Sequence, residues 1–129
     1  DPDGTKRWAV KVAGEKLLGS PAVDAYGNIY TGGNPLASYD SEGHLRFTGR
    51  VAGRGVVTVT GDGRLLMTTG PDPSESPSAL LAYRLVSMDQ AGRILFETEA
   101  PASFSVISVG AEGRIFVASL FLGGITMFQ

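Results

Sequence analysis

The 129 residues include no cysteine, one histidine and one tryptophan. Without thiols there is no disulfide scaffold, no thiolate metal site, no iron–sulfur cluster and no Cys nucleophile. Charge of one sign is also missing: 11 Lys and Arg stand against 13 Asp and Glu, a formal net charge of −2. Nucleic acid demands clustered cations for its phosphates, so no nucleic-acid partner is expected. No apolar run approaches the roughly 20 residues of a membrane helix, so no membrane span is expected either. Glycine is abundant, at 18 residues, in a chain that is 43% apolar. A chain of this length is one ordinary domain by size alone. Asp1 stands where an initiator Met would be and no apolar leader follows it, so the sequence reads as a processed product or a piece of a longer chain. The missing cysteine is compatible with an extracytoplasmic setting and does not establish one.

A repeat organises the chain. Asp1-Pro2-Asp3-Gly4-Thr5-Lys6-Arg7-Trp8 aligns with Asp40-Ser41-Glu42-Gly43-His44-Leu45-Arg46-Phe47 and with Asp89-Gln90-Ala91-Gly92-Arg93-Ile94-Leu95-Phe96. Each copy has Asp, Gly three residues on, and an aromatic four residues after the glycine. A second element recurs as Val23-Asp24-Ala25-Tyr26-Gly27-Asn28-Ile29-Tyr30, Val59-Thr60-Gly61-Asp62-Gly63-Arg64-Leu65-Leu66 and Val109-Gly110-Ala111-Glu112-Gly113-Arg114-Ile115-Phe116. Gly4, Gly27, Gly43, Gly63, Gly92 and Gly113 are thus turn glycines, supplying the positive φ that tight hairpins require. The longer spacing between Gly43 and Gly92 is taken up by an insertion, Gly70-Pro71-Asp72-Pro73-Ser74-Glu75-Ser76-Pro77.

Short runs of β-branched and aromatic residues fill the intervals, and no segment sustains a capped 3.6-residue apolar period, so essentially no α-helix is expected. Residues 80–88 have helical propensity, but their place before an Asp-x-x-Gly turn makes them a strand. The predicted strands are 20–24, 28–32, 36–39 and 44–48, then 55–60, 64–69, 79–87 and 93–98, then 104–109, 114–119 and 124–128. An outer strand at 5–12 precedes them. Repeats of about 40 residues with four short strands are the signature of β-propeller blades. The chain therefore reads as a single all-β domain, 1–129, that is an incomplete propeller ring of about three blades: an outer strand within 1–12, then 13–48, 49–98 and 99–129. Three blades fall short of the four to eight that close a ring.

The run Ser20-Pro21-Ala22-Val23-Asp24, then Gly27-Asn28-Ile29-Tyr30 and Gly32, then Leu36, Tyr39-Asp40, Gly43 and Phe47, resembles the pyrroloquinoline-quinone-type propeller repeat. In that family a Gly-x-x-x-Trp pattern ends the outer strand and the Trp packs between blades. Trp8 fits the pattern, with Phe47 and Phe96 as its counterparts. The resemblance covers nearly the whole chain, strongest in the first copy and degenerate in the third, at Phe104-Ser105-Val106-Ile107. It implies a periplasmic or extracellular setting. It does not imply the cofactor: the family's dehydrogenases use a vicinal cysteine disulfide, calcium ligands and a catalytic Asp, and many members are non-enzymatic assembly proteins. No cofactor is expected here.

Candidate chemistry is sparse. His44 would need a nucleophile and an orienting carboxylate to act as a base, and otherwise reads as a solvated turn residue. Asp1-Pro2-Asp3-Gly4 has calcium-loop oxygens without the distal Glu, and reads as a turn. Gly32-Gly33 and Gly123-Gly124 lack the following Lys and helix of a phosphate loop. Arg50, Arg54 and Arg64 are too few for a phosphate track. The aromatics Trp8, Tyr30, Phe47, Phe96, Phe104, Phe116 and Phe128 read as inter-blade core. The insertion with Pro71, Asp72, Pro73, Ser74 and Glu75 is the candidate recognition loop. The leading expectation is a non-catalytic propeller segment that binds a protein partner or its remaining blades, with a homodimer closing a six-bladed ring as one form. Part of a quinoprotein dehydrogenase with its catalytic residues elsewhere, and a carbohydrate-binding propeller, are the alternatives.

Overall fold

The computed structural model describes residues 3–12, 20–33, 35–49, 56–70, 83–100, 105–119 and 123–129. These residues form three antiparallel sheets. The first takes β1 (Ala22–Val23), β2 (Ile29–Thr31), β3 (Ala37–Tyr39) and β4 (Leu45–Thr48) in chain order. The second takes β5 (Thr58–Val59), β6 (Leu65–Thr69), β7 (Tyr83–Met88) and β8 (Ile94–Ala100) the same way. The third has β9 (Ser105–Val109), β10 (Ile115–Ser119) and β11 (Gly124–Phe128). Every pairing joins sequence neighbours, as in the meander of a propeller blade. The only helical stretch among the described residues is a 3-10 turn, Ala111–Gly113.

The sheets stack face to face, and the period-two alternation of β6 shows how. Leu65 and Met67 point one way, into a cluster with Tyr30 and Leu36 of the first sheet and Val57, Val86 and Met88 of the second. Leu66 points the other way, meeting Leu85 and the third sheet's Ile107, Ile115 and Val117. The second sheet is therefore a filling between two others, and all five β6 residues are buried. Its run Leu65-Leu66-Met67 is continuous rather than alternating because both faces need apolar cover. Each such side chain contributes roughly 1.5–3 kcal/mol relative to exposure. The second interface is the more polar one. Thr68 and Ser87 share the face with Leu66 and Leu85, and their hydroxyls are buried without a hydrogen-bond partner among the described residues.

The fold class read from the sequence is the fold observed: all-β, in blade-like sheets that form an open stack. The structure departs from expectation at 5–12, where an outer strand was expected. The described residues show no ladder there: a strand exists only when another strand pairs with it, and 5–12 pair with none of the three sheets. Residues 79–82 of the expected third strand of the second sheet lie outside the described residues, while 83–88 form β7.

One consequence is measurable. Thr68→Val removes a buried hydroxyl that has no partner while keeping its shape, so it should stabilise the chain by about 1 kcal/mol. Urea unfolding with an unchanged m-value checks this, and a loss of stability would show that the hydroxyl is satisfied.

Candidate functional site

The hairpin turns come first, because they fix where each blade edge lies. In the turn at Asp40 the carboxylate Oδ1 accepts from the Glu42 and His44 amides, each at 2.9 Å. The Gly43 amide donates to the Asp40 carbonyl at 3.1 Å, with Gly43 at φ 87°. Asp89 repeats this with Ala91, Arg93 and Gly92 (φ 81°). Asp24 repeats it with Tyr26, Asn28 and Gly27 (φ 82°). At the fourth turn Thr60 takes the role of Asp: its hydroxyl accepts from the Arg64 amide at 2.9 Å, and Gly63 sits at φ 83°. At the fifth, Gly110 carries no side chain, and Glu112 and Gly113 both take positive φ, 61° and 73°.

These hydrogen bonds stabilise the charged carboxylates and lower their pKa values. For Asp40 and Asp89 the largest cause is the backbone amide of His44 or Arg93. For Asp62 it is the Thr60 hydroxyl, with Arg64 adding to it. Asp24 is buried, which alone would push its carboxyl up. Bonds from the Asn28 side chain and amide, the Tyr30 hydroxyl and the Tyr26 amide outweigh that and hold it below its ordinary value. The Asp24 carboxylate also anchors a polar path through the first sheet. Tyr30 donates to Asp24 Oδ2 at 2.9 Å, and Arg46 donates to the Tyr30 oxygen at 3.3 Å and to Ser38 Oγ at 3.0 Å. Burial comes first among the causes that raise the Tyr30 phenol pKa.

The outer-strand aromatics lie on glycines. The Trp8 ring covers Gly43 so closely that an added Cβ would meet Cε3 at 3.0 Å, and the indole N–H donates to the Ser41 carbonyl at 3.0 Å. The Phe47 ring of the first sheet covers Gly92 of the second in the same way, with a Cβ there meeting Cε2 at 2.5 Å. Only glycine meets both demands of this site, since it tolerates positive φ and leaves room for the ring. Phe96 occupies the equivalent position in the second sheet but is 36% exposed.

The other candidates stay apart. His44 is highly exposed, with Nδ1 3.1 Å from Asp40 Oδ2, and no hydroxyl bonds to it among the described residues. Asp3 Oδ1 accepts from the Thr5 amide at 3.0 Å, as a turn residue does, while Asp1 and Pro2 lie outside the described residues. Among the described residues no three His, Cys, Asp or Glu groups are placed to hold a metal. Arg64 pairs with Asp62 at 2.8 Å, and Arg50 and Arg54 lie outside the described residues. Gly33 and Gly123 are connecting residues between strands. Pro71, Asp72, Pro73, Ser74 and Glu75 lie outside the described residues, as does Phe104. Tyr30, Phe116 and Phe128 belong to sheet faces, Tyr30 fully buried and Phe116 36% exposed.

What the described residues leave open is one end face, since the far side of the first sheet keeps Ala37 and Tyr39 buried. On the outward side of the third sheet Val106, Phe116, Ile125 and Met127 are all exposed, Ile125 at 75%. Val23 and Leu45 are exposed on the far side of the first sheet. Sequence reasoning had not singled out the Tyr30–Arg46–Ser38 path or this outward face. The first had one faint signal, a Tyr at an inward strand position whose hydroxyl must find a partner.

The fold and these surfaces define an all-β, propeller-like protein built from repeated blades. No protein-family model matches the chain, and no curated protein does. Among solved structures it is similar to BamB from Moraxella catarrhalis, at 14% identity and a TM-score of 0.37, over 86% of this chain and 43% of that one. The chain thus spans less than half the length of that protein. No helix among the described residues is long and apolar enough to cross a membrane.

Two outcomes follow from this geometry. Gly43→Ala should cost about 2 kcal/mol, from the strained positive φ and the displaced ring, whereas Gly61→Ala, facing open space, should stay within about 0.5 kcal/mol. Trp8 is the single tryptophan, so its emission should shift to the red in Gly43→Ala alone. Folded-state pKa values below the unfolded ones mean that the unfolded chain binds more protons in acid. The carboxylate contribution is thus present above the ordinary Asp range and is lost as pH falls through the lowered values. Urea midpoints measured from neutral pH downward should fall in that window, and Asp24→Asn should flatten the fall.

Proposed function

We propose that this chain is a non-catalytic segment of a pyrroloquinoline-quinone-type propeller whose role is protein–protein assembly, outside the cytoplasm. One observation carries the reading: the blade stack ends in an exposed apolar sheet face, formed by Val106, Phe116, Ile125 and Met127, beside β11, an edge strand whose outer side has no partner among the described residues. Such a face and edge invite association, because the edge offers unpaired amides and carbonyls and the face offers apolar area. Inside the stack, equivalent faces are covered by a neighbouring sheet. The natural cover for the end is therefore another blade, whether from remaining propeller blades, from a partner protein or from a second copy in a six-bladed ring. The insertion at 71–75, between β6 and β7, is the proposed source of specificity, since insertions within repeats map to loops on one face.

A photoreactive benzoylphenylalanine placed at Ile125, in cells that make the protein, tests this. It should yield a protein adduct heavier than one chain, and the same group at exposed Glu42 should not. No adduct at position 125, or equal adducts at both, would contradict the reading.

A further inference from the structure

The first hairpins of the three sheets share one pattern and differ in what they carry. Ala25-Tyr26-Gly27-Asn28 between β1 and β2 aligns with Gly61-Asp62-Gly63-Arg64 between β5 and β6 and with Ala111-Glu112-Gly113-Arg114 between β9 and β10. In the second and third sheets the acid and the arginine pair across the glycine, Asp62 with Arg64 and Glu112 with Arg114. The first sheet breaks the pattern. Asn28 donates instead to Asp24 Oδ2 at 2.8 Å. Tyr26 stands 78% exposed, and its hydroxyl bonds to nothing among the described residues. The turn itself uses only the Tyr26 amide, which donates to Asp24 Oδ1, so the ring has no task in the fold.

Tyr26 is one wall of a groove between the first and second sheets. The other walls are Asp62 and Arg64 of the β5–β6 turn and Asp89 and Gln90 of the β7–β8 turn, around about 470 Å³, a volume in the range of small-molecule sites. A second lobe of about 190 Å³ shares Tyr26, Asp62 and Gln90. The polar walls are held in place. Asp62 is fixed by the Thr60 hydroxyl and by Arg64 Nε, and Asp89 by two backbone amides and Arg93. Gln90 is half-buried, with its amide so close to Gly63 that a Cβ there would overlap Nε2. That amide has no hydrogen-bond partner among the described residues. The groove therefore presents an unspent donor and acceptor on Gln90, the terminal N–H groups of Arg64 and the lone pairs of two carboxylates.

Charge decides which class of ligand fits. Both carboxylates of the groove already carry an arginine, Asp62 with Arg64 at 2.8 Å and Asp89 with Arg93 at 2.7 Å. A cationic side chain entering here finds the negative charge spent, and an anion meets two carboxylates. A neutral ligand rich in hydroxyls loses nothing to that balance. Its O–H groups donate to the carboxylate oxygens and its oxygens accept from Gln90 and Arg64. The exposed ring asks for something different, a flat apolar surface to cover it. A pyranose supplies both, with C–H groups on one face and hydroxyls around its rim. We propose that this groove binds a neutral carbohydrate, one sugar ring stacked on Tyr26 and its hydroxyls shared among Asp62, Arg64 and Gln90. Walls already fixed by the turns keep the ordering cost of binding low. The site is separate from the outward face of the third sheet, because it lies between the first two.

The test presents the 129-residue chain to an array of neutral glycans ending in glucose, galactose, mannose or N-acetylglucosamine. Sialylated glycans and an oligo-arginine peptide serve as charged controls. At least one neutral glycan should bind, and neither control should. With the neutral oligosaccharide that binds best, titration calorimetry should show Tyr26→Ala and Gln90→Ala each raising the dissociation constant by at least about tenfold. Tyr26→Phe, which keeps the ring, should stay close to the parent chain. Both residues stand on turns, so far-ultraviolet circular dichroism should be unchanged in all three variants. The side-chain amide signal of Gln90 should shift in nuclear magnetic resonance spectra as the oligosaccharide is added. Three results would each overturn the proposal: no neutral glycan bound, the peptide bound in place of glycans, or a neutral glycan bound equally well by Tyr26→Ala. None of them alters the adduct expected at position 125, so the assembly reading stands or falls separately.

Discussion

The arrangement depends on one contact: an aromatic ring lying against a glycine of the next sheet's outer hairpin. The glycine is held at positive φ by the turn, and the turn is held by the carboxylate of the Asp three residues before it. Ring and turn therefore lock each other. Phe47 reaches Gly92 only because the Asp89 turn presents that backbone, and the sheets stack in register because the rings meet the turns. Within a blade a second contact of this kind links the two hairpins. The side chain of Ser41 lies against Gly27, and Gln90 lies against Gly63. The hydrophobic clusters between sheets supply most of the stabilisation, but they are slippery, and the ring on the glycine selects one alignment.

That division of labour explains which sheet is the best packed. The second sheet receives Phe47 on one side and gives its Leu66 and Leu85 to the third on the other, so every residue of β6 is buried. The third sheet has a neighbour on one side only among the described residues. Its inward residues Ile107, Ile115 and Val117 are buried while its outward ones are exposed. A propeller blade with one bare face is a structural reason to expect association, with no reference to chemistry.

Much of the fold was legible because its determinants are local. Asp-x-x-Gly names a turn by itself, and the runs between turns are short and β-branched, so ten of the strands could be placed within a few residues of β1 to β11 and β7 could be told from a helix by the turn that follows it. The segment 5–12 was read as a strand for the same local reasons, and its pattern is a strand's pattern. Whether it forms a ladder depends on a partner that alternation cannot reveal. The Asp24–Tyr30–Arg46–Ser38 path was illegible for a related reason: Arg46 and Tyr30 are 16 residues apart and meet only because β2, β3 and β4 are adjacent. The aromatics were seen as repeat positions, but that each needs a particular glycine became visible only in three dimensions.

The central claim is that ring and glycine stabilise each other rather than merely lying close. A double-mutant cycle of Phe47→Ala and Gly92→Ala, read by equilibrium urea unfolding, measures this directly. Gly92→Ala should cost markedly less once the Phe47 ring is gone, leaving a coupling energy of about 1 kcal/mol or more. Additive costs, within about 0.3 kcal/mol, would mean that the ring does not register the sheets.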